Sequence, residues 1–136
     1  MKYQLRAEIP SVENYIDIRV KAGLSRKSIE AAERGLPNSI YAVVVYAEEQ
    51  AIGIGRIIGD GGCFYEITDI AVIPEHQKKG IGAMIMEALV GYLNTYAPST
   101  AYVSLMADHG TPHFYEKFGF TLSQMPGSSG MYMRIK

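Results

Sequence analysis

The sequence predicts an α/β or α+β domain in which helices cover the faces of a mixed β-sheet. Three observations indicate this class. Three strand-like segments follow one another as a meander in the first half of the chain. A long amphipathic segment then lies between two strand-like segments, as in a strand-helix-strand unit. Two helical segments precede the meander, and a short helix and a hairpin follow the unit. The total is six to seven strands and about four helices.

The first half of the chain is predicted to contain two helices and four strands. Ser11 is a suitable N-cap for the first helix, which follows a strand ended by Pro10 and stops near Gly23. A second helix begins after Ser25 and ends at Gly35, where glycine and a nearby proline form a stop signal. The strands are rich in Val, Ile and Tyr and are separated by polar or glycine-rich turns. They cover residues 3–9, 40–47, 51–58 and 64–72.

Residues 80–96 are predicted to form the long helix, because apolar residues from Ile81 to Leu93 recur at helical spacing and Pro98 lies beyond its end. No linker, repeat or low-complexity segment interrupts the sequence, so we expect one domain of residues 1–136. The remaining elements are a strand at 102–106, a short helix at 111–118, and strands at 120–124 and 131–135.

Composition narrows the classes of partner. The net charge is -1 and the pI about 6.3, which provides no general attraction for nucleic acid. Apolar runs are too short to span a bilayer and the first residues lack a signal-peptide core, so we expect a cytoplasmic protein without a membrane partner. The single cysteine, Cys63, cannot form an intramolecular disulfide, and no base can be placed beside it to make it a nucleophile.

The most informative segment lies between the strand at 64–72 and the long helix. Glycine inside a helix costs about 1 kcal/mol relative to alanine, so Gly80 and Gly82 in one turn require an explanation. One explanation is that glycine lets a ligand approach the unpaired backbone N–H groups closely. The helix dipole, together with Lys78 and Lys79, would favour an anion as that ligand. The segment therefore suits a pyrophosphate. A turn softened by glycine with two solvated lysines fits the spacing equally well.

Other ligand motifs fit the sequence less well. A P-loop would need Ser or Thr after a Gly-Lys pair, which is absent. Glycines at 53, 55 and 59 resemble a dinucleotide fingerprint, but the third is one position late and the run lies in a strand. His109 and His113 are four residues apart without a nearby carboxylate motif, so we expect no metal site.

Two segments together resemble the GNAT acyltransferase superfamily. Residues 69–82 resemble its cofactor motif, whose core is Gln or Arg, two residues, Gly, one residue, then Gly or Ala. Residues 114–120 resemble its second motif, in the family's order. The resemblance implies a mostly antiparallel sheet, direct transfer of an acetyl group from acetyl-CoA to a primary amine of a small molecule, no metal, and a homodimer. A non-catalytic sensor of coenzyme A, or a protein-interaction module, is the alternative.

The resemblance also implies where the cofactor lies. The strand ending at Val72 would splay from the strand at 102–106, and the pantetheine arm would occupy the gap. The loop at 107–110 lacks the asparagine that many members carry there, so its cofactor contacts are an open question. The implied cofactor-binding residues are Ile70, Ala71, Val72, Gln77, Lys78, Lys79, Gly80, Ile81, Gly82, Ala83, Phe114 and Lys117.

Transfer to an amine needs a proton acceptor and a proton donor. An alkylammonium has a pKa of about 10, so a carboxylate or a water chain should take its proton. Asp69 is the favoured carboxylate and Glu66 the second candidate; they face opposite sides of one strand unless a bulge intervenes. The resemblance implies that Tyr115 donates a proton to the leaving thiolate. The same residue could instead be a core aromatic.

The sequence does not identify the acceptor. By resemblance its pocket is built from about residues 19–36 and 125–132, which contain no binding motif. Asp60 and Asp108 lie in predicted loops and could attract a cationic substrate, although loop aspartates are more often turn residues.

Overall fold

The structure is a computed structural model that describes residues 2–107, 111–123, 127 and 130–135. The chain divides into two compact units, Met1–Leu105 and Met106–Lys136, which we describe separately. None of the helices in these described ranges has both the length and the apolarity needed to cross a membrane.

The first unit contains a five-stranded sheet whose strand order follows the chain. The first four strands pair antiparallel, which confirms the predicted meander, and the fifth lies parallel to the fourth after a helical crossover. The fold is therefore the predicted mixed α+β class. Its strands are β1 (Tyr3–Ala7), β2 (Tyr41–Ala47), β3 (Gln50–Gly59), β4 (Phe64–Val72) and β5 (Tyr102–Ser104).

The described residues contain four α-helices, three in the first unit and one in the second. They are α1 (Val12–Lys21), α2 (Ile29–Gly35), α3 (Ile81–Tyr96) and α4 (Pro112–Glu116), with 3-10 turns at Leu36–Asn38 and Pro74–His76.

The N-cap of α1 is confirmed, because the Ser11 hydroxyl accepts a hydrogen bond from the backbone of Asn14 at 3.1 Å. The second helix lies after Ser25 and ends at Gly35 as predicted, and its first residue is Ile29. The cap is Ser28, whose hydroxyl accepts from the backbone N–H of Ala31 at 3.0 Å.

The helices α1 and α3 pack on opposite faces of the sheet. Gly53 and Gly55 of β3 face α3, since a Cβ at Gly55 would lie 2.5 Å from a methyl carbon of Ile85. These glycines allow close packing of α3 against β3, which explains the run that superficially resembled a dinucleotide motif. Their neighbour Arg56 faces α1. The core consists mainly of β2 and β3 with the inner sides of both helices.

The second unit contains α4, which is shorter than predicted because Pro112 begins it and Gly119, at a φ of 96°, ends the following turn. The predicted strands at 120–124 and 131–135 are corrected: their described residues, 120–123 and 131–135, are not in strands. Alternating side chains define a strand only where the backbone also finds a partner to pair with. The sheet therefore has five strands rather than six or seven.

Candidate functional site

The edge of β4 that faces β5 is paired over only part of its length. Three residue pairs join the two strands, from Phe64↔Tyr102 to Glu66↔Ser104. Residues 67–72 of β4 continue beyond this ladder, and among the described residues they pair with no strand other than β3. On the β5 side, an extended ligand could therefore pair with the backbone of Ile70, Ala71 and Val72.

A β-bulge interrupts β4 beside this opening. The register runs from Ile54↔Ala71 to Arg56↔Thr68, so β4 has one residue more than β3 between these pairs. Asp69 occupies the bulge with a φ of 61°. Thr68 shares a face with its partner Arg56, and Asp69 also contacts Arg56 on that face. Because Glu66 lies two residues before Thr68, both candidate carboxylates face the same side of the sheet.

The carboxylate of Asp69 lies in a buried cluster with three donors from two other elements. Its Oδ2 accepts from the hydroxyl of Tyr15 at 3.0 Å and from Nε of Arg56 at 2.8 Å. Its Oδ1 is ion-paired with Nη1 of Arg19. Asp69 and both arginines are less than 9% exposed. Burial, and next the charge of Asp69, raise the pKa of the Tyr15 phenol, so that hydroxyl keeps its proton.

The arginines of this cluster are themselves held in position. Arg19 donates from Nη2 to the backbone oxygen of Ser25 at 2.7 Å, which ties α1 to the loop before α2. Arg56 donates from Nη1 to the hydroxyl of Ser39 at 2.7 Å. The cluster thus joins β3 and β4 to the helices on one face of the sheet.

The helix α3 begins without a side-chain cap. Its N-cap residue, Gly80, has a φ of 83°, a left-handed conformation that glycine adopts at little cost. The N–H groups of residues 81–83 point out of the first helical turn, where they have no intrahelical acceptor. Lys78 also has a positive φ, 62°, and both Lys78 and Lys79 are exposed. Such a turn presents backbone donors and positive charge to an anion.

Two contacts fix this turn relative to the sheet. Gln77 donates from Nε2 to the backbone oxygen of Val72 at 2.8 Å, which joins the turn to the end of β4. His76 is buried, and its Nδ1 lies 2.8 Å from the hydroxyl of Tyr3 in β1. The turn before α3 is therefore attached both to the end of β4 and to β1 within the first unit.

The predicted residues of the second unit form an aromatic group. The ring of Phe114 contacts the rings of Tyr115 and Phe118 at centroid distances of 5.1 and 5.4 Å. Lys117 places its ammonium 6.0 Å from the Phe114 ring. Tyr115 is half-buried. The roles assigned to Phe114, Tyr115 and Lys117 stay predictions.

The remaining predicted candidates are the loop aspartates and the two histidines, and the structure describes only some of them. Asp60 is a turn residue: its Oδ1 accepts backbone N–H bonds from Phe64, Gly62 and Cys63, and these bonds, that from Phe64 most, lower the pKa of Asp60. Asp108 and His109 lie outside the described residues. Within the described ranges, no three His, Cys, Asp or Glu side chains form a group that could hold a metal.

Two cavities lie along α1 and α2. The larger, about 500 Å³, follows the outer side of α1 and is lined by Val12, Ile16, Val20 and Ile29 with three charged residues. The smaller, about 170 Å³, lies between α1, α2 and β3 and is lined in part by Tyr15, Lys27 and Arg56. Most of the lining of the smaller cavity, from Lys27 to Leu36, falls in the segment 19–36 predicted to contact the acceptor, whereas the larger cavity overlaps that segment only at Val20, Arg26 and Ile29.

Sequence reasoning missed Tyr15, Arg19, Arg56 and His76 as parts of the site. A signal existed for Arg56, because an arginine inside the apolar strand Gln50–Gly59 requires a buried partner. Arg19 follows Tyr15 by one helical turn, so both belong to the inner face of α1. Nothing in the sequence indicates that Asp69 is the shared partner.

Comparisons with known proteins agree with this arrangement. Residues 38–122 match the model of the acetyltransferase (GNAT) domain. An uncharacterized N-acetyltransferase of Prochlorococcus marinus is 32% identical over 104 residues, which cover 74% of this chain; the chain spans only 57% of that relative. A solved structure of a Staphylococcus aureus protein of unknown function is 41% identical, with a TM-score of 0.92 over 98% of this chain and 100% of that one. A Streptococcus pneumoniae GNAT-family acetyltransferase shares the fold, with a TM-score of 0.80 at 21% identity over 99% of both chains. The chain therefore belongs to the GNAT family of acetyltransferases.

Proposed function

We propose that this chain is an N-acetyltransferase that transfers an acetyl group from acetyl-CoA to a primary amine of a small molecule in a ternary complex. The observation that carries the proposal is the uncapped start of α3, joined by the Gln77–Val72 bond to the unpaired end of β4. A ligand with a pyrophosphate at one end and an amide-containing arm suits both features. Coenzyme A has this composition.

In this proposal the first unit holds the cofactor mainly through its backbone. The N–H groups of residues 81–83 and the lysines 78 and 79 bind the pyrophosphate. Ile70, Ala71 and Val72 pair with the pantetheine arm, and one N–H among them polarises the thioester carbonyl. Phe114 and Lys117 contribute contacts from the second unit.

Acetyl-CoA supplies an activated acyl group, so the protein must mainly orient the amine and manage two protons. The prediction that Asp69 accepts the proton of the amine stays a prediction, and its surroundings disfavour it. Tyr15, Arg19 and Arg56 already occupy its two oxygens, so an incoming ammonium would compete with them.

Glu66 suits the role of proton acceptor better. It is half-buried, it shares a face with Asp69 through the bulge, and its carboxylate makes no hydrogen bond or ion pair with any residue that the structure describes. We therefore assign the proton of the amine to Glu66, directly or through one water. Asp69 then acts as a positioning residue that fixes the bulge.

Tyr115 is proposed to protonate the leaving thiolate. A thiol has a pKa of about 8.5 and a phenol about 10, so the phenol is mostly protonated at neutral pH and can share its proton as the C–S bond breaks. The half-buried position of Tyr115 is compatible with access to a ligand.

The test is release of free thiol from acetyl-CoA across a broad panel of primary amines. Glu66→Gln and Tyr115→Phe should each reduce kcat about tenfold or more while the Kd for acetyl-CoA stays unchanged. Tyr96→Phe makes the same chemical change on an exposed side chain and should have no effect. Failure of every amine to release thiol would reject the enzyme, and tight binding of acetyl-CoA alongside that failure would favour the sensor.

We extend the proposal to a homodimer, which rests on the family resemblance alone. Light scattering of the purified protein at micromolar concentration would give a mass of twice 15.0 kDa. A monomer mass across the concentration range would remove the dimer from the proposal and leave the transfer reaction intact.

A further inference from the structure

The buried cluster around Asp69 contains more positive than negative charge. Arg19 and Arg56 are two buried cations, and Asp69 is the one buried carboxylate they share. Buried ions are normally balanced by a partner of opposite charge. Among the described residues, the only other buried side chain that can carry a full positive or negative charge near neutral pH is His76. It contacts Tyr3 near the turn before α3 and not this cluster. Within the part of the chain that the structure describes, two buried guanidinium groups therefore share a single buried carboxylate.

Arg56, one of the two buried cations, borders the smaller cavity. Arg56 donates from Nε to Asp69 and from Nη1 to Ser39, and its Nη2 has no partner among the residues the structure describes. Arg56 is one of the residues that line the cavity, and a guanidinium has five N–H donors, more than these two bonds use. Lys27 lines the same cavity, and its ammonium makes no ion pair with any described residue.

The rest of the cavity wall leaves room without adding charge. Tyr15 contributes its ring and keeps its hydroxyl on Asp69. Small or apolar residues form the remaining lining, and no carboxylate is among them. These residues are Ala31, Ala32, Gly35 and Leu36. A volume of about 170 Å³ accommodates a group of a few heavy atoms rather than a large ligand.

We propose that this cavity binds an oxyanion group of the acceptor, a carboxylate or a phosphate, so that the acceptor is an amine that also carries a negative charge. The inference rests on the proposed acyl transfer and specifies its substrate class. Two cations on a partly enclosed wall bind an oxyanion by charge-assisted hydrogen bonds, which a neutral analogue cannot form. The cavity lies on the α1 face of the sheet, whereas the turn proposed for the cofactor phosphates begins α3 on the opposite face.

The position of the cavity is suited to such an acceptor. Arg56 is opposite Thr68 in β4, and Glu66 lies two residues further along the same face. Adjacent strands are about 4.8 Å apart, so an amine a few bonds from its anion can reach β4 while the anion stays at Arg56. Glu66 and the two cations then contact opposite ends of one zwitterionic molecule.

The test measures binding separately from turnover. The ¹⁵N-labelled protein, saturated with coenzyme A, is titrated at constant ionic strength with β-alanine, with its neutral analogue β-alaninamide, and with O-phosphoethanolamine. We expect shifts at the backbone amides of Ala31, Ala32 and Gly35 with at least one anionic amine and none with β-alaninamide. The stronger of the two anionic ligands identifies carboxylate or phosphate as the preferred group.

Charge variants outside the buried cluster make the test specific. Lys27→Gln should weaken binding of the anionic amine about five- to tenfold, and Lys27→Arg should restore it. Arg34→Gln removes the same charge from α2, where Arg34 is exposed and paired with Glu30, and should leave binding unchanged.

Equal shifts with β-alaninamide, or equal loss in Arg34→Gln and Lys27→Gln, would overturn the proposal. The titration is repeated without coenzyme A; anion-specific shifts that occur only in its absence would assign the cavity to the cofactor and also overturn the proposal. If the anion-specific shifts persist while no amine releases thiol from acetyl-CoA, the acyl transfer is rejected and the anion site stands.

Discussion

Arg56 donates from Nε to Oδ2 of Asp69 at 2.8 Å, although the strand register places Arg56 opposite Thr68. The extra residue of the bulge explains the difference, since it turns Asp69 to the face that Arg56 occupies. A left-handed backbone at a non-glycine residue costs on the order of 1–3 kcal/mol. The two ion pairs of Asp69 and its bond from Tyr15 offset this cost. They therefore also fix the shape of β4 beside the proposed thioester.

Loss of the Asp69 charge should destabilise the fold strongly. Asp69→Asn leaves two buried guanidinium groups without a carboxylate, and breaking a buried pair in this way costs about 3–5 kcal/mol. Urea denaturation followed by circular dichroism gives the free energy of unfolding. Asp17→Asn is the control, because its pair with Lys21 is about half-exposed and should contribute less than about 1 kcal/mol. Similar losses in both variants would contradict the importance of the cluster.

A methyl group at Gly55 should disturb the packing of α3 on the sheet. Its Cβ would lie 2.5 Å from Ile85 and 3.2 Å from Leu89, both fully buried, so Gly55→Ala should cost about 1–3 kcal/mol. At Gly91, on the exposed side of α3, an added Cβ meets nothing within 4 Å. Gly91→Ala should therefore stabilise by about 0.5–1 kcal/mol. Thermal unfolding of the two variants would show opposite shifts, and a stable Gly55→Ala protein would refute the close packing.

Local patterns predicted the elements of the first unit well because each pattern is contained in one segment. The alternation and composition of β2, β3 and β4, and the spacing of apolar residues in α3, correspond to faces that the structure buries. Ser25 and Ser28 are both plausible N-caps, and only the backbone conformation at Ser28 selects between them.

The cluster could not be predicted, because it depends on contacts between distant segments. Arg19 and Asp69 are 50 positions apart in sequence, and an arginine on an amphipathic helix is usually exposed. The bulge at Asp69 has only a weak local signal, the tolerance of aspartate for positive φ. The turn before α3 was predictable because its lysines and glycines all lie within residues 78–82, whereas its attachment through His76 to Tyr3 spans 73 positions.

The contribution of Tyr15 to stability should depend on pH. At neutral pH, Tyr15→Phe removes the bond to Asp69 and should cost about 1 kcal/mol. Burial first, and Asp69 second, raise the pKa of Tyr15 in the folded protein above 10.0. Stability from this group is therefore complete below about pH 10 and lost as the pH rises from there through the folded pKa. Urea denaturation from pH 7 to pH 11 should show the difference between wild type and variant shrinking above pH 10. A constant difference would contradict the raised pKa.

Gln77 should affect cofactor affinity more than stability. Its side chain is exposed, so Gln77→Ala should change the free energy of unfolding by less than about 0.5 kcal/mol. The lost bond to Val72 would release the turn from the end of β4. If this weakens the free energy of binding by about 1 kcal/mol, the Kd for coenzyme A rises roughly fivefold. Isothermal titration calorimetry measures this Kd. Gln50→Ala, at the exposed first residue of β3, is the control and should bind as wild type does. Because the turn and the β4 edge must engage one ligand together, an unchanged Kd for Gln77→Ala would show that they bind it independently.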